Sequence, residues 1–187
     1  MSKKRVVAEY WQFEPTRSIM VAEVSNPIGP AGELFNRWDL DSMPDTTISS
    51  SIDGRTKLGD IIRTSSAELI LSQRAFELFK RFELGTVRFT PVRIKSNQGE
   101  DLIEAFVLTS PFVDFVDLEN SQYMTIDNTN PPAFWYFTAP PVVRRQALTG
   151  LDFAQGSTVH RVCSSRLKEA IEAAKLTNFA FSPLDVR

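Results

Sequence analysis

Two segments of the chain, one beginning at Ser72 and the other at Ser164, can be laid over each other without a gap. In each, an apolar run precedes the serine, a helix-like stretch follows it, and a strand containing phenylalanine then leads to a proline. The matched positions pair Arg74 with Arg166, Glu77 with Glu169, Leu84 with Leu176, Phe89 with Phe181 and Pro91 with Pro183. This self-similarity predicts a duplicated strand-helix-strand unit. The alternative, two ordinary amphipathic helices that align by chance, stays open from the sequence alone.

The helix-like stretches of both segments carry a single apolar stripe. The serine before each stretch can cap the N-terminus of a helix, and the spacing predicts helices over residues 73–83 and 165–175. Apolar residues recur at the i, i+3, i+4, i+7 spacing of a half-buried helix, at Ala75, Leu78, Phe79 and Phe82 in the first stretch and at Leu167, Ala170, Ile171 and Ala174 in the second.

Much of the remaining chain has the pattern of strands, so the predicted fold class is α+β, mainly an antiparallel sheet with two amphipathic helices. A polar loop containing Gly99 joins two of the strand-like runs and is typical of a β-hairpin. Residues 39–59 are polar and predict a long irregular loop. Runs rich in β-branched and aromatic residues predict strands over residues 6–13, 18–24, 87–95, 102–109, 112–118, 123–126 and 133–138.

Composition excludes several classes of function. The formal net charge of -2 gives no electrostatic case for a nucleic-acid or membrane partner. The N-terminus is basic but lacks a long apolar stretch, so no secretory signal is expected. Apolar runs also fall short of the roughly 20 residues that a membrane helix needs. We therefore expect a cytoplasmic protein.

A nucleophilic site of the Cys-His or Ser-His-Asp type would have to use His160, the single histidine of the chain. Cys163, the single cysteine, lies three residues further on, and in an extended strand two such residues point to opposite faces. A direct Cys-His pair is therefore awkward, and too few ligands exist for a zinc site. The sequence predicts no catalytic residues, no metal and no cofactor.

Two acidic patches are candidate partner-binding surfaces. Asp39, Asp41 and Asp45 follow Trp38, and an exposed aromatic beside acids suits a surface that meets a basic protein. A solvated polar loop with Trp38 in the core is the alternative. The second patch holds Asp114, Asp117 and Glu119. Such a group can also serve as the carboxylate pair of a hydrolase, although solvated turns show the same pattern.

Three stretches of the chain resemble a known protein family. Ser72-Gln73-Arg74 followed by Phe89-Thr90-Pro91-Val92 looks like its central helix and its hydrophobic-x-Pro-Val strand. Asp114 and Asp117-Leu118-Glu119-Asn120-Ser121 look like its Asp…Asp-x-Glu-x-Ser segment. Residues 159–161, 165–171 and 179–181 look like its closing strand, helix and strand. Over roughly residues 65–184 the chain is thus similar to the DUF1629 or Imm11 group, immunity proteins of bacterial polymorphic toxin systems.

The resemblance implies a protein that binds and neutralises a cognate toxin by direct contact, with Arg74, Arg166, Asp117 and Ser121 as scaffold. The family often has an aromatic where His160 stands, and its glycine before the last strand is here Thr177-Asn178. Two alternatives remain, a small hydrolase that uses the Asp114/Asp117/Glu119 cluster and an effector-delivery adaptor. We expect a single domain over 1–187, with N-terminal strands and the polar loop in 1–64 and the family-like region in 65–184.

Overall fold

The structure is a computed structural model that describes residues 8–15, 21–23, 47–50, 59–64, 69–96, 102–125, 135–156 and 161–187. Within these ranges the chain forms mostly antiparallel sheets with short helices, and the predicted α+β class is confirmed. No helix in these ranges is long and apolar enough to cross a membrane.

The chain divides into two halves, and the division lies in the connection between the strand that ends at residue 96 and the strand that begins at residue 102. The first half contains β1 (Tyr10–Pro15), β2 (Val21–Glu23), β3 (Thr47–Ser50), β4 (Ile61–Thr64), β5 (Leu69–Ser72), α1 (Gln73–Phe79) and β6 (Arg88–Ser96). The second contains β7 (Leu102–Thr109), β8 (Tyr123–Thr125), β9 (Trp135–Phe137), β10 (Val142–Val143), α2 (Arg145–Leu148), β11 (Phe153–Gln155), β12 (Arg161–Ser164), α3 (Ser165–Ala173), β13 (Phe179–Pro183) and β14 (Asp185–Val186).

A closed barrel includes most strands of the first half, in the order β2-β3-β6-β7-β5-β4. Two of its contacts, β3 with β6 and β2 with β4, are parallel, and the other pairs are antiparallel. One of its strands, β7, is the first strand of the second half. It lies between β5 and β6 and pairs with both.

The second half repeats these pairings around β1. The sheet order β11-β12-β1-β13 corresponds to β4-β5-β7-β6, and β10 pairs parallel with β14 as β3 does with β6. Two single bridges complete the correspondence, because Phe112 meets Gln155 in parallel and Val116 meets Val143 antiparallel, in the places of β2 with β4 and β2 with β3. The chain therefore contains the same strand arrangement twice.

The register of the two copies agrees residue by residue. Ile61 lies opposite Leu71 in the β4–β5 hairpin, and Phe153 lies opposite Cys163 in the β11–β12 hairpin, so each counterpart stands 92 positions further along. The self-similarity predicted between the segments at Ser72 and Ser164 is thus present in the structure, and it extends well beyond them.

The first strands of the two halves are exchanged. β1 lies between β12 and β13 of the second half, and β7 lies between β5 and β6 of the first. Pro183 of β13 faces Trp11 of β1, and Pro91 of β6 faces Phe106 of β7, so the exchanged strands also keep equivalent registers. Each half completes the sheet of the other.

The two helices begin at their predicted serine caps. The Ser72 hydroxyl accepts the Ala75 N–H at 3.2 Å, and the Ser164 hydroxyl accepts the Leu167 N–H at 3.1 Å. Both helices end sooner than predicted. In α1 the turns after Phe79 tighten to i→i−3 hydrogen bonds, and α3 stops where Lys175 adopts a positive φ of 51°. Such a left-handed residue commonly closes a helix.

The helices and both sets of strands enclose one core that the halves share. Its fully buried side chains include Phe79 of α1 and Ile171 of α3, which are equivalent positions. The other buried members come from both halves, namely Phe13, Ile61, Leu69, Leu71, Ala75, Leu84, Leu108, Phe153, Cys163 and Leu167. A second cluster packs Tyr10 against Phe115, Val143 and Leu148.

One loop prediction and one strand prediction were wrong. The polar stretch 39–59 contains β3, whose pairing with β6 is decided by tertiary contact rather than by its Ser/Thr-rich composition. The run 112–118 makes only single bridges, because the Phe115 N–H donates to the Val113 carbonyl at 3.0 Å and this three-residue turn interrupts the ladder. The predicted hairpin of 87–95 with 102–109 is confirmed as β6 and β7.

Candidate partner-binding surface

The segment that follows β7 holds the acids Asp114, Asp117 and Glu119 at the surface of the second half. Backbone hydrogen bonds fix it against β10 and β11: the Val113 N–H donates to Gln155 at 2.7 Å and the Asp117 N–H donates to Val142 at 2.9 Å. Phe115 is completely buried and anchors the segment in the second cluster. The acids are thus attached to a rigid scaffold.

Asp114 lies almost entirely open to solvent. Its side chain is 89% exposed and forms an ion pair of 2.7 Å with Arg144, whose guanidinium also donates to the Asp114 carbonyl. An exposed pair of this kind adds little stability. Both charges remain accessible to a partner protein.

Asp117 shapes the turn instead. Its carboxylate accepts the Asn120 backbone N–H at 3.2 Å and the Asn120 side-chain N–H at 2.7 Å. The Ser121 hydroxyl donates to the Asp117 carbonyl at 2.6 Å and accepts the Val142 N–H at 2.9 Å. The scaffold roles that the resemblance implied for Asp117 and Ser121 fit these contacts, while Glu119 lies exposed on the same turn.

Exposed apolar side chains flank this acidic turn in the chain. Phe112, two residues before Asp114, is 65% exposed. After the turn, Tyr123 and Met124 of the β8–β9 ribbon are 37% and 56% exposed. Large exposed apolar residues beside charged ones are a common feature of protein-binding surfaces. Sequence reasoning found the acids but missed Phe112, because it assigned residues 112–118 to a strand.

The patch of Trp38, Asp39, Asp41 and Asp45 lies outside the described residues, as does His160. In the chain, the patch belongs to the connection from β2 to β3. Its counterpart in the second half is the connection 117–141, which includes Asp117, Glu119 and the β8–β9 ribbon. The first acidic patch and the residues Asp117 and Glu119 of the second therefore belong to corresponding connections of the duplicated fold, while Asp114 lies just before its connection.

Two buried carboxylates, which the sequence analysis did not single out, hold the halves together. Asp152 accepts the Ser164 hydroxyl at 2.6 Å, the Glu83 N–H at 3.0 Å and the Arg166 guanidinium. Burial opposes its ionisation, but these hydrogen bonds outweigh burial and hold the pKa of Asp152 below its ordinary value. Glu83 follows α1, so Asp152 joins its own hairpin to the end of the other half's helix.

Asp60 makes the equivalent contacts from the first half to the end of the helix in the second half. It stands 92 positions before Asp152, accepts the Ser72 hydroxyl at 2.7 Å, and accepts the Thr177 N–H at 2.8 Å beyond the end of α3. Arg74 lies 3.7 Å from the Asp60 carboxylate, the counterpart of Arg166 at Asp152. The sequence signal was present, since both aspartates precede their capping serine by the same twelve residues.

A groove of about 640 Å³ lies beside Asp152 and is lined by Glu9, Tyr10, Ser165 and Arg166. Its charges are already paired, Glu9 with Arg145 and Arg166 with Asp152. Cys163 does not line the groove but lies buried in the core, and burial raises the pKa of its thiol, which keeps the group protonated at neutral pH. No group of three or more potential metal ligands occurs among the described residues.

A comparison with protein families matched the model of an immunity protein family (Imm11) over residues 2–186. The chain belongs to the Imm11 immunity protein family. A comparison with curated proteins gave no match. The family assignment agrees with the resemblance inferred from residues 65–184 and extends it to nearly the whole chain.

The first sixty residues, which the sequence motifs left outside the resemblance, are thus part of the Imm11 match. The structure gives a physical reason, because β1 supplies a central strand to the sheet of β12 and β13. A fold of this kind is incomplete without its N-terminal strand. The motifs missed it because strand pairing leaves little signature beyond alternating apolar residues.

The departure at Thr177-Asn178 in this Imm11 protein also has a structural explanation. Asn178 has a φ of 74°, a left-handed conformation that glycine adopts most easily and asparagine tolerates better than most residues. Its side-chain N–H donates to the Ile61 carbonyl at 2.5 Å. Asparagine therefore replaces the expected glycine and adds a contact between the halves.

Proposed function

We propose that this Imm11 protein acts in the bacterial cytoplasm by binding a cognate protein toxin and neutralising it through direct contact, without catalysis or a cofactor. Family membership supports an immunity role, and the observation that favours binding is the exposed Phe112 beside the exposed Asp114. An aromatic of this kind can anchor in a pocket of the partner. The acids Asp114 and Glu119 would steer a basic partner toward it.

The proposed surface centres on Phe112, Asp114, Glu119 and the ribbon residues Tyr123 and Met124. Asp117 contributes by holding the turn in shape. We extend the proposal to Trp38, Asp39, Asp41 and Asp45, which belong to the corresponding connection of the first half. Connections on a rigid scaffold can vary from one immunity protein to the next without harming the core.

The hydrolase alternative is less well supported by the contacts of the same acids. The Asp117 carboxylate is bonded to Asn120 within its own turn, and the Asp114 side chain is almost entirely open to solvent. A catalytic carboxylate pair needs two acids held a few ångströms apart in a cleft. These acids are better suited to a binding surface.

The test uses the protein encoded next to this chain's gene, purified in a form that is inactive as a toxin. We expect Phe112→Ala to weaken its binding by about 2 kcal/mol or more, roughly 30-fold in Kd. Charge reversal at Asp114 and Glu119 should mainly slow association and flatten its salt dependence. Trp38→Ala and charge reversal at Asp39, Asp41 and Asp45 test the first-half patch in the same way.

Ile103→Ala is the matched control, since Ile103 is an exposed apolar residue (43%) near the opposite end of β7. It should leave binding unchanged. Kinetics on folded proteins, together with survival of cells that express the active toxin, supply both readouts. Wild-type rates in all the surface variants would exclude these surfaces, and protection without any measurable complex would exclude the binding mechanism.

A further inference from the structure

Each half of the molecule lacks the strand that its own sheet needs. Without β7, the strands β5 and β6 of the first half have no partner between them, and without β1 the same is true of β12 and β13. Unpaired backbone groups in a buried sheet are costly. The exchanged strands therefore contribute to folding as well as to contact between the halves.

Side-chain contacts hold β1 in place in addition to its backbone hydrogen bonds to β12 and β13. The Tyr10 hydroxyl donates to the Leu148 carbonyl at 2.7 Å, and the Trp11 indole donates to the Ser165 hydroxyl at 3.0 Å. The Lys168 ammonium lies 4.5 Å from the centre of the Trp11 ring. All these partners belong to the second half, although β1 belongs to the first.

The contacts around the helices are reciprocal in the same way. Arg74 donates to the Ala174 carbonyl at the end of α3, and Arg166 lies 5.4 Å from the ring of Phe82 beyond the end of α1. Ala174 and Phe82 are equivalent positions, 92 residues apart. The hydrogen bonds that Asp60 and Asp152 accept from both halves form two equivalent groups, which we call the clamps. Together with the clamps, these contacts follow an approximate two-fold relation.

We infer that the chain is the joined form of a two-fold dimer, in which two copies of one strand-helix unit recognise each other by exchanging their first strands. The surface between the halves is then a protein-binding surface, and its partner is a unit of the same kind. Covalent linkage through residues 97–101 raises the effective concentration of the partner. It supplies none of the β1 or clamp contacts described above.

The experiment cuts the folded, full-length protein at a protease site placed within residues 97–101, the connection between β6 and β7. We expect the two pieces to elute together and to unfold in a single transition. The urea midpoint of that transition should fall when the cut protein is diluted tenfold, because unfolding now separates two chains. The uncut protein carrying the same site is the control, and its midpoint should not depend on concentration.

A second measurement starts from the two pieces, separated in denaturant and then returned to buffer. Each piece alone should stay unfolded by near-ultraviolet circular dichroism, and mixing should restore the native signal at a rate that depends on concentration. Two folded pieces that separate on gel filtration, or two transitions independent of concentration, would overturn the inference. So would either piece folding alone with a cooperative transition.

Discussion

The two halves share the order and direction of their strand pairings but differ in the elements that lie between them. In the first half β2 and β3 form continuous ladders, whereas in the second half the corresponding segments are reduced to the bridges of Phe112 and Val116 and the two-residue β10. The connection 117–141 of the second half contains the β8–β9 ribbon, and its counterpart in the first half lies outside the described residues. The two halves keep the same register in the strands that pair across them, and they differ in the strands that do not.

The clamps show the same contrast on a smaller scale. Asp60 and Asp152 occupy equivalent positions and both accept a hydrogen bond from the capping serine. Asp152 then takes the Arg166 guanidinium through both of its oxygens, while Asp60 takes the N–H and hydroxyl of Thr177. Both aspartates also accept a backbone N–H from the other half, that of Glu83 at Asp152 and that of Thr177 at Asp60, and these two donors are not at equivalent positions.

The largest expected effect tests whether both halves depend on the shared core. Phe79 and Ile171 are equivalent and fully buried, so Phe79→Asp and Ile171→Asp should each unfold the protein, since an unpaired buried charge costs several kcal/mol. Circular dichroism and solubility measure the outcome. The matched controls are Lys80→Ala and Glu172→Ala, exposed residues at equivalent positions, which should leave the fold intact. A soluble, cooperatively folded Ile171→Asp variant would contradict the shared core.

A smaller effect is expected where the halves are not equivalent. A methyl group on Gly59 would lie 2.5 Å from the Asn178 Cβ, a distance that forces a shift, whereas Leu151 occupies the corresponding place in the second half. Gly59→Ala should cost about 1–3 kcal/mol in the free energy of unfolding, as overpacking does. Urea denaturation provides the measurement.

Asn178→Gly is the partner variant for this test, since it removes the Cβ that the new methyl group meets. Combined with Asn178→Gly, the change Gly59→Ala should cost clearly less than it does alone. Equal costs in the two backgrounds would show that the contact between Gly59 and Asn178 does not limit packing there.

An effect of similar size is expected at the two clamp residues, Asp60 and Asp152. Asp60→Asn and Asp152→Asn should each lower the free energy of unfolding by about 1–3 kcal/mol at neutral pH, because a hydrogen-bonded buried carboxylate is lost. Asp114→Asn, in an exposed ion pair, should change it by less than about 1 kcal/mol and serves as the control. A clamp variant as stable as the control would remove that clamp from the contacts that hold the halves together.

The contribution of Asp152 should also depend on pH. Its pKa in the folded protein is lowered, so the stabilisation is fully present above the pKa of the unfolded state and is lost as the pH falls through the folded value. The difference between wild type and Asp152→Asn should therefore be constant near neutrality and shrink below about pH 4. A difference that grows on acidification would contradict the lowered pKa.

The sequence by itself determined the local features of both copies. Apolar periodicity gave the buried faces of α1 and α3, the capping serines marked where the helices begin, and the polar loop around Gly99 indicated the hairpin of β6 and β7. The gapless match of the segments at Ser72 and Ser164 indicated the duplication. These features depend on residues close together in the chain, whose geometry is fixed by the helix and strand periods.

Only the tertiary structure decided the rest. The alternating residues of β1 do not specify that its neighbours are β12 and β13, roughly 150 positions away, since the backbone bonds of a ladder are alike for any strand. The exchange follows from how the apolar faces of both halves close one core around Phe79 and Ile171. That same closure buries Asp60 and Asp152 and leaves Phe112 facing solvent. No local sequence pattern distinguishes Phe112 from an ordinary strand residue.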